Sequence, residues 1–248
     1  MSMWWLGLLL VPALLFLLGR YAVWLPSRHP DWPRLMMLHR VTPAVGASGM
    51  NMPPARFESL LQLLCKRKYV FVTVSGLMDA VDRRRHIALT FDDGFADNYQ
   101  HAFPLLKKYG VKATIYLATD IPEIEKLSPA QIAEMAASGL VEFGAHTLHH
   151  VNLTRLSDAE AEREIRDSRA RVGELAGSCR SFAYPFGRFN ADHERMVAAA
   201  GYDSAVSTRK AIELIDDNNR FRLPRISTNG VMDGIQMRIA LAKGRYRI

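Results

Sequence analysis

Residues 87–94 read Ile-Ala-Leu-Thr-Phe-Asp-Asp-Gly. Ile87 to Phe91 is a short apolar run of the kind buried in a parallel sheet, and Asp92-Asp93-Gly94 ends it. Side chains alternate across a strand, so neighbouring aspartates diverge unless the backbone is already turning. Gly94 permits that turn. One carboxylate is then free to hold a cation while the other takes a proton. Further along stands His146-Thr147-Leu148-His149-His150. Two histidines at i,i+4 share a face if the segment is helical and chelate one ion, with His149 as an i,i+3 alternative. One Asp and two His make an open site for Zn²⁺ or a similar divalent metal, leaving positions for water and substrate. The bland reading of Asp-Gly after a strand is a turn.

Outward from this stretch, apolar strand-like runs alternate with amphipathic helical ones. Strands are predicted at 35–38, 69–74, 87–91, 113–118, 141–144, 181–184, 203–207 and 223–227. Helices are predicted at 54–68, 95–109, 129–138, 158–176, 191–200 and 232–242. Ser128-Pro129-Ala130-Gln131 and Ser157-Asp158-Ala159-Glu160 read as capping boxes, and Gly110, Gly139 and Gly201 as helix stops. Alternation of this kind implies a parallel sheet, and about eight strands in one domain favour a distorted (β/α) barrel over an open sheet. Functional residues then gather at the C-terminal ends of the strands.

The 248 residues are 49% hydrophobic and 23% charged, which suits one α/β domain rather than two. The net charge of +7 is scattered, apart from Arg83-Arg84-Arg85 and the tail Lys243, Arg245 and Arg247. With no basic helix interleaved with aromatics, nucleic acid is not an expected partner. Cys65 and Cys179 have no CxxC partner, so no disulfide framework is expected.

Residues 3–19 carry no charge; Arg20 interrupts, and Tyr21 to Leu25 continue the apolar run. With Arg20 snorkelling it reaches the roughly 20 apolar residues of a bilayer span, and Trp4, Trp5, Tyr21 and Trp24 sit at its two ends as interfacial aromatics do. No Lys or Arg precedes it and no small-x-small cleavage site follows. The expectation is therefore a membrane anchor over 1–25, a Pro-rich linker over 26–34 and a catalytic domain over 35–248. Arg20, Arg28, Arg34 and Arg40 all follow the anchor. By the positive-inside rule they lean a single-pass inner-membrane protein toward a cytoplasmic catalytic domain, with membrane lipid as a partner.

A third segment runs Arg180-Ser181-Phe182-Ala183-Tyr184-Pro185-Phe186-Gly187. Read alone it is a buried strand with a turn, or a loop whose amide faces a site as an oxyanion donor. Together, Thr90–Gly94, His146–His150 and Arg180–Gly187 resemble, in order, the three motifs of the NodB-type polysaccharide deacetylases (carbohydrate esterase family 4). The resemblance covers roughly residues 34–228. It implies Asp92 as base, Asp93, His146 and His150 as ligands of a divalent metal, most simply Zn²⁺, and the Phe186 amide as oxyanion donor. Arg180, Pro185 and Gly187 complete the oxyanion and substrate loop.

Two departures stand out. Many members carry a base-orienting Arg where this chain has Ala183; Arg225, on another strand, is the candidate replacement. The usual C-terminal Leu-x-His of the general acid is absent. Instead Leu35-Met36-Met37-Leu38-His39-Arg40-Val41 resembles the N-terminal stretch of members with permuted motif order, which implies His39 as the acid. The expected activity is metal-dependent N-deacetylation of N-acetylhexosamine units in a cell-envelope glycan. The alternatives are a non-catalytic, membrane-tethered glycan-binding or assembly protein, and a deformylase or O-deacetylase on the same fold.

Overall fold

The computed structural model describes residues 4–22 and 24–247. Eight strands form one all-parallel sheet: β1 (Arg34–Leu38), β2 (Val70–Phe71), β3 (His86–Phe91), β4 (Ala113–Leu117), β5 (Val141–Ala145), β6 (Ser181–Ala183), β7 (Ser204–Val206) and β8 (Ile226–Ser227). Their order is β7-β6-β5-β4-β3-β1-β8, with β2 beside the start of β3. Leu223 bridges back to Val206, so the sheet curls from β7 around to β8 as a distorted barrel. The helices are α1 (Trp4–Tyr21), α2 (Pro54–Lys66), α3 (Val74–Asp79), α4 (Phe103–Tyr109), α5 (Pro129–Ala137), α6 (Asp158–Ala176), α7 (Ala191–Ala199) and α8 (Gly234–Lys243).

Strand parity explains what the curl encloses. Met36, Leu38, Leu89, Phe91, Ile115, Leu117, Phe143 and Phe182 face outward into the main core beneath the helices. Leu35, Ala88, Tyr116, Ala183, Val206 and Leu223 form a second, smaller cluster inside the curl. With a period of two, the next inward position after Leu35 and Met37 is His39. After Ala88 and Thr90 it is Asp92, and after Glu142 and Gly144 it is His146. Three chemistry-bearing side chains are thus aimed into the mouth of the barrel by simple continuation of three strands.

The capping boxes form as predicted. Ser128 Oγ accepts from the Gln131 amide while Gln131 Oε1 accepts from the Ser128 amide, and Glu160 accepts from Ser157. Three local expectations are corrected. The strand over 69–74 is only Val70–Phe71, because Thr73 caps a short helix, α3, that begins at Val74. The helix over 95–109 opens as a turn and a π-helical stretch at Asn98–Ala102 before α4. The His146–His150 segment is a loop rather than a helix, with Thr147 and His150 in left-handed backbone (φ 60° and 53°).

Among the described residues no helix is long and apolar enough to cross a membrane. At about 1.5 Å per residue, the 18 residues of α1 span roughly 27 Å, short of the ~30 Å of hydrocarbon. Residues 1–3 and 23 of the expected anchor lie outside the described residues. The segment after α1 is bound to the domain: Ala22 is buried, and the Arg28 amide donates to Ala242 O. Three of the four arginines counted for orientation are tied into the domain, Arg20 through Asp233. Arg34 is buried and donates to Leu241 O and His29 O, and Arg40 pairs with Asp97.

Candidate active site

Asp93 and Gly94 both take left-handed backbone (φ 74° and 75°), so the chain reverses at the end of β3. A Cβ on residue 94 would lie 2.6 Å from Leu117 Cδ2, which adds a steric reason for glycine there. The reversal swings Asp93 back toward the barrel mouth beside Asp92, and both carboxylates are buried. Sequence parity alone places only Asp92 there; the left-handed Asp93 supplies the rest.

Asp93 Oδ1 lies 3.6 Å from His146 Nε2 and 3.4 Å from His150 Nε2, and the three ligand atoms all fall within 4.8 Å of one another. Asp93 Oδ1 is buried with no hydrogen-bond partner. His146 Nδ1 is 2.7 Å from Ala183 O, which orients the ring so that Nε2 faces Asp93. The left-handed His150 brings the second imidazole alongside, with ring centroids 4.9 Å apart. Tetrahedral Zn²⁺ with bonds of about 2.0–2.1 Å sets its ligand atoms roughly 3.3–3.4 Å apart. The spacing, the N₂O donor set and the orphaned oxygen all fit a divalent metal.

The electrostatics agree. Burial pushes the Asp93 carboxyl up to about 6, and the Asp92 charge adds to this. Burial drives His146 down to about 3, against the attraction of Asp92 and with help from His150, and burial lowers His150 as well. Neutral imidazoles are the form that ligates.

Asp92 is in the opposite condition. Burial alone would raise its carboxyl, but the charge and hydrogen bonds of Arg225 prevail, and His146 and His39 help hold it far below the usual carboxylate range. Arg225 donates from Nη1 to Asp92 Oδ1 (2.7 Å) and from Nη2 to Oδ2 (2.8 Å). It is itself fixed by Thr90 Oγ1 and Ser207 O, and its side chain is completely buried. Ala183 lies in the apolar cluster inside the curl, and Arg225, immediately before β8, delivers the guanidinium.

His39 follows β1 directly, half-buried and close enough to act on the charge of both aspartates. Its backbone is clamped by residues that sequence reading missed. Asn98 Nδ2 donates to His39 O, while the Asp97 carboxylate accepts from the Val41 amide and from Arg40 Nε. Both belong to the irregular start of the helix predicted over 95–109, and nothing in their spacing marks them out. At the other wall, Phe186 takes a left-handed conformation (φ 58°, ψ 2°) within the Pro185–Gly187 turn. Its ring meets His150 edge-on at 4.6 Å. Gly187 closes against Thr208.

Arg180 does not reach the site. It precedes β6, at the end of the strand opposite the barrel mouth, where it bonds Asp79 and Asp203. Its charge ties β6 to the end of α3 and to β7, so the expectation of a substrate-binding Arg180 is corrected to a structural one.

A parallel barrel whose mouth holds a buried Asp/His/His cluster beside a guanidinium-clamped aspartate carries the parts of a hydrolytic site. Comparison agrees: the family described as polysaccharide deacetylase matches residues 79–205, and this chain belongs to it. Among relatives, YxkH of Bacillus subtilis (strain 168), assigned by its name to the polysaccharide deacetylases, is 28% identical over 220 residues. The match covers 86% of this chain and 77% of YxkH. The poly-beta-1,6-N-acetyl-D-glucosamine N-deacetylase of Staphylococcus aureus (strain N315) is 26% identical over 69% of this chain and 66% of its own length. The Streptococcus pyogenes deacetylase PplD, solved in complex with acetate, superposes with a TM-score of 0.73 at 25% identity, covering 87% of this chain and all of that one. IcaB from Ammonifex degensii shares the fold at a TM-score of 0.72 and 23% identity, over 85% of this chain and 96% of its own.

Proposed function

We propose that this chain removes acetyl groups from N-acetylhexosamine units of a cell-envelope glycan, with a divalent metal as cofactor. The observation that carries the reading is the buried Asp93–His146–His150 cluster set directly beside the Arg225-clamped Asp92. The resemblance to a named poly-β-1,6-N-acetylglucosamine N-deacetylase supports the substrate class.

Asp93, His146 and His150 would hold the metal, most simply Zn²⁺, which supplies Lewis-acid polarisation of the acetamide oxygen and of water. The remaining work falls to this chain's own groups. Arg225 keeps Asp92 ionised and fixes its plane, using two of about four acceptor positions and leaving the others toward the mouth. Asp92 takes a proton from the attacking water as the new C–O bond forms. The Phe186 amide donates to the developing oxyanion. His39 gives a proton to the sugar nitrogen as the C–N bond breaks, releasing acetate and a free amine. Asp97 and Asn98 hold the His39 backbone for that transfer.

α1 supports association with a bilayer. Val11, Leu14, Leu15, Phe16 and Leu17 are all at least half exposed, an apolar surface that the domain leaves uncovered. A membrane-bound enzyme suits an envelope glycan.

The test is acetate release from β-1,6-linked N-acetylglucosamine oligomers by the purified full chain. The reading expects release that chelation abolishes and Zn²⁺ restores. Full activity in a metal-free preparation contradicts it, and formate release from N-formyl sugars without acetate release reassigns the acyl group.

A further inference from the structure

Beside the exit of α1 lies a cavity of about 230 Å³ whose lining includes none of the site residues. Arg28, Arg209, Lys210, Lys243 and Arg245 line it, against one carboxylate, Glu213. Glu213 is engaged by both terminal nitrogens of Arg209. The pocket is therefore a concentrated positive site, five cations against one carboxylate.

Its position is tied to α1. Leu25 and Pro26, immediately past that helix, form part of the wall. The exit of α1 is pinned along α8: Arg20 and Tyr21 donate to the Asp233 carboxylate at the N-cap, and Lys243 Nζ donates to Ala22 O at the other end. Trp24, 47% exposed, stands between the apolar helix and the basic pocket, where an aromatic meets the headgroup layer. Apolar helix, aromatic and cations follow one another in the order of hydrocarbon, interface and phosphate.

We propose that this pocket is a headgroup site for an anionic phospholipid, and that filling it seats the catalytic domain against the bilayer. The proposal rests on the reading that α1 associates with lipid. It adds that the domain is docked rather than tethered, because α1, the pocket and α8 are joined by hydrogen bonds. Phosphate-bearing lipid is the occupant that matches both halves of the surface, since a soluble anion would not use the exposed apolar face of α1.

The experiment uses the full chain with Cys65→Ser, so that single cysteines can carry an environment-sensitive fluorophore. Probes are placed at Leu15 on α1, at Leu214 beside the pocket and at Glu162 on α6, which packs on β5 three strands from β1. Each is reconstituted into phosphatidylcholine vesicles with or without phosphatidylglycerol, carrying a headgroup spin-label quencher. The expected result is quenching at Leu15 in both vesicles, at Leu214 only with phosphatidylglycerol, and at Glu162 in neither. Each cation near an anionic surface is worth roughly fivefold in partitioning. Arg28→Gln, Lys210→Gln and Arg245→Gln together should therefore cut the preference for anionic vesicles roughly a hundredfold, with acetate release in detergent unchanged. Quenching at Leu15 without quenching at Leu214, or equal quenching at Leu214 in both vesicles, overturns the headgroup site and leaves the lipid association of α1 standing. No quenching at either position overturns both.

Discussion

Arg225 and Asp92 form a completely buried two-point ion pair, with N–O distances of 2.7 and 2.8 Å, between strands far apart in the chain. Removing one partner of such a pair strands a charge and typically costs about 3–5 kcal/mol of stability. Arg225→Met should destabilise the fold by that order in chemical denaturation. Asp92→Asn should lower kcat by roughly 10²–10⁴ while metal content stays at the wild-type level, since Asp92 is not in the ligand set. Loss of metal in Asp92→Asn would place the carboxylate in the wrong role.

His39 should behave as an acid and not as a ligand. His39→Gln should lower kcat on acetamido sugars by roughly 10²–10⁴ with bound metal unchanged. The defect should shrink on aryl acetate esters, whose leaving group departs without a proton. An equal loss on both substrates would argue against His39 as proton donor.

Asp97 works at a distance, by holding the backbone beyond β1. Asp97→Ala leaves the buried Val41 amide without its acceptor and frees Arg40, a change worth about 1–3 kcal/mol. The expected kinetic signature is a lower kcat with nearly unchanged KM and metal content, and the same sparing of aryl esters as in the His39 variant. A loss confined to stability would reduce Asp97 to a scaffold residue.

The two cysteines should differ in reactivity. Cys65 is exposed, whereas burial pushes the Cys179 thiol up to about 12. One thiol per chain should react with a disulfide reagent at pH 8 in the native state, and two after denaturation. Because the folded thiol titrates above its unfolded value of about 8.5, Cys179 favours the fold below that pH. Its contribution fades as pH rises from there toward about 12. Cys179→Ala should remove that part of the alkaline loss of stability.

Much of the site was legible in the sequence because strand parity is a simple rule. His39, Asp92 and His146 each sit one step beyond an inward-facing residue, and eight strands were recognisable as short apolar runs. What the sequence hid was backbone of unusual hand. Asp93, Thr147, His150 and Phe186 all take positive φ, and no propensity announces that for a phenylalanine or a threonine. Those turns, not helical spacing, bring the two imidazoles together. Arg180 misled for the complementary reason. It lies in a motif that reaches the site, but it stands three positions before Ala183, whose carbonyl does the orienting, and at the other end of the strand. Asp97 and Asn98 act through single backbone hydrogen bonds, which leave no periodic trace.

The central claim is that Asp93, His146 and His150 share one divalent ion. Its most direct test is calorimetric titration of Zn²⁺ into chelator-stripped full chain, alongside Asp93→Ala and His146→Ala. One ion per chain is expected for the wild type, with none in either variant and acetate release restored only where the ion binds. Undiminished Zn²⁺ binding in both variants, or acetate release from stripped protein at the wild-type rate, would contradict the account.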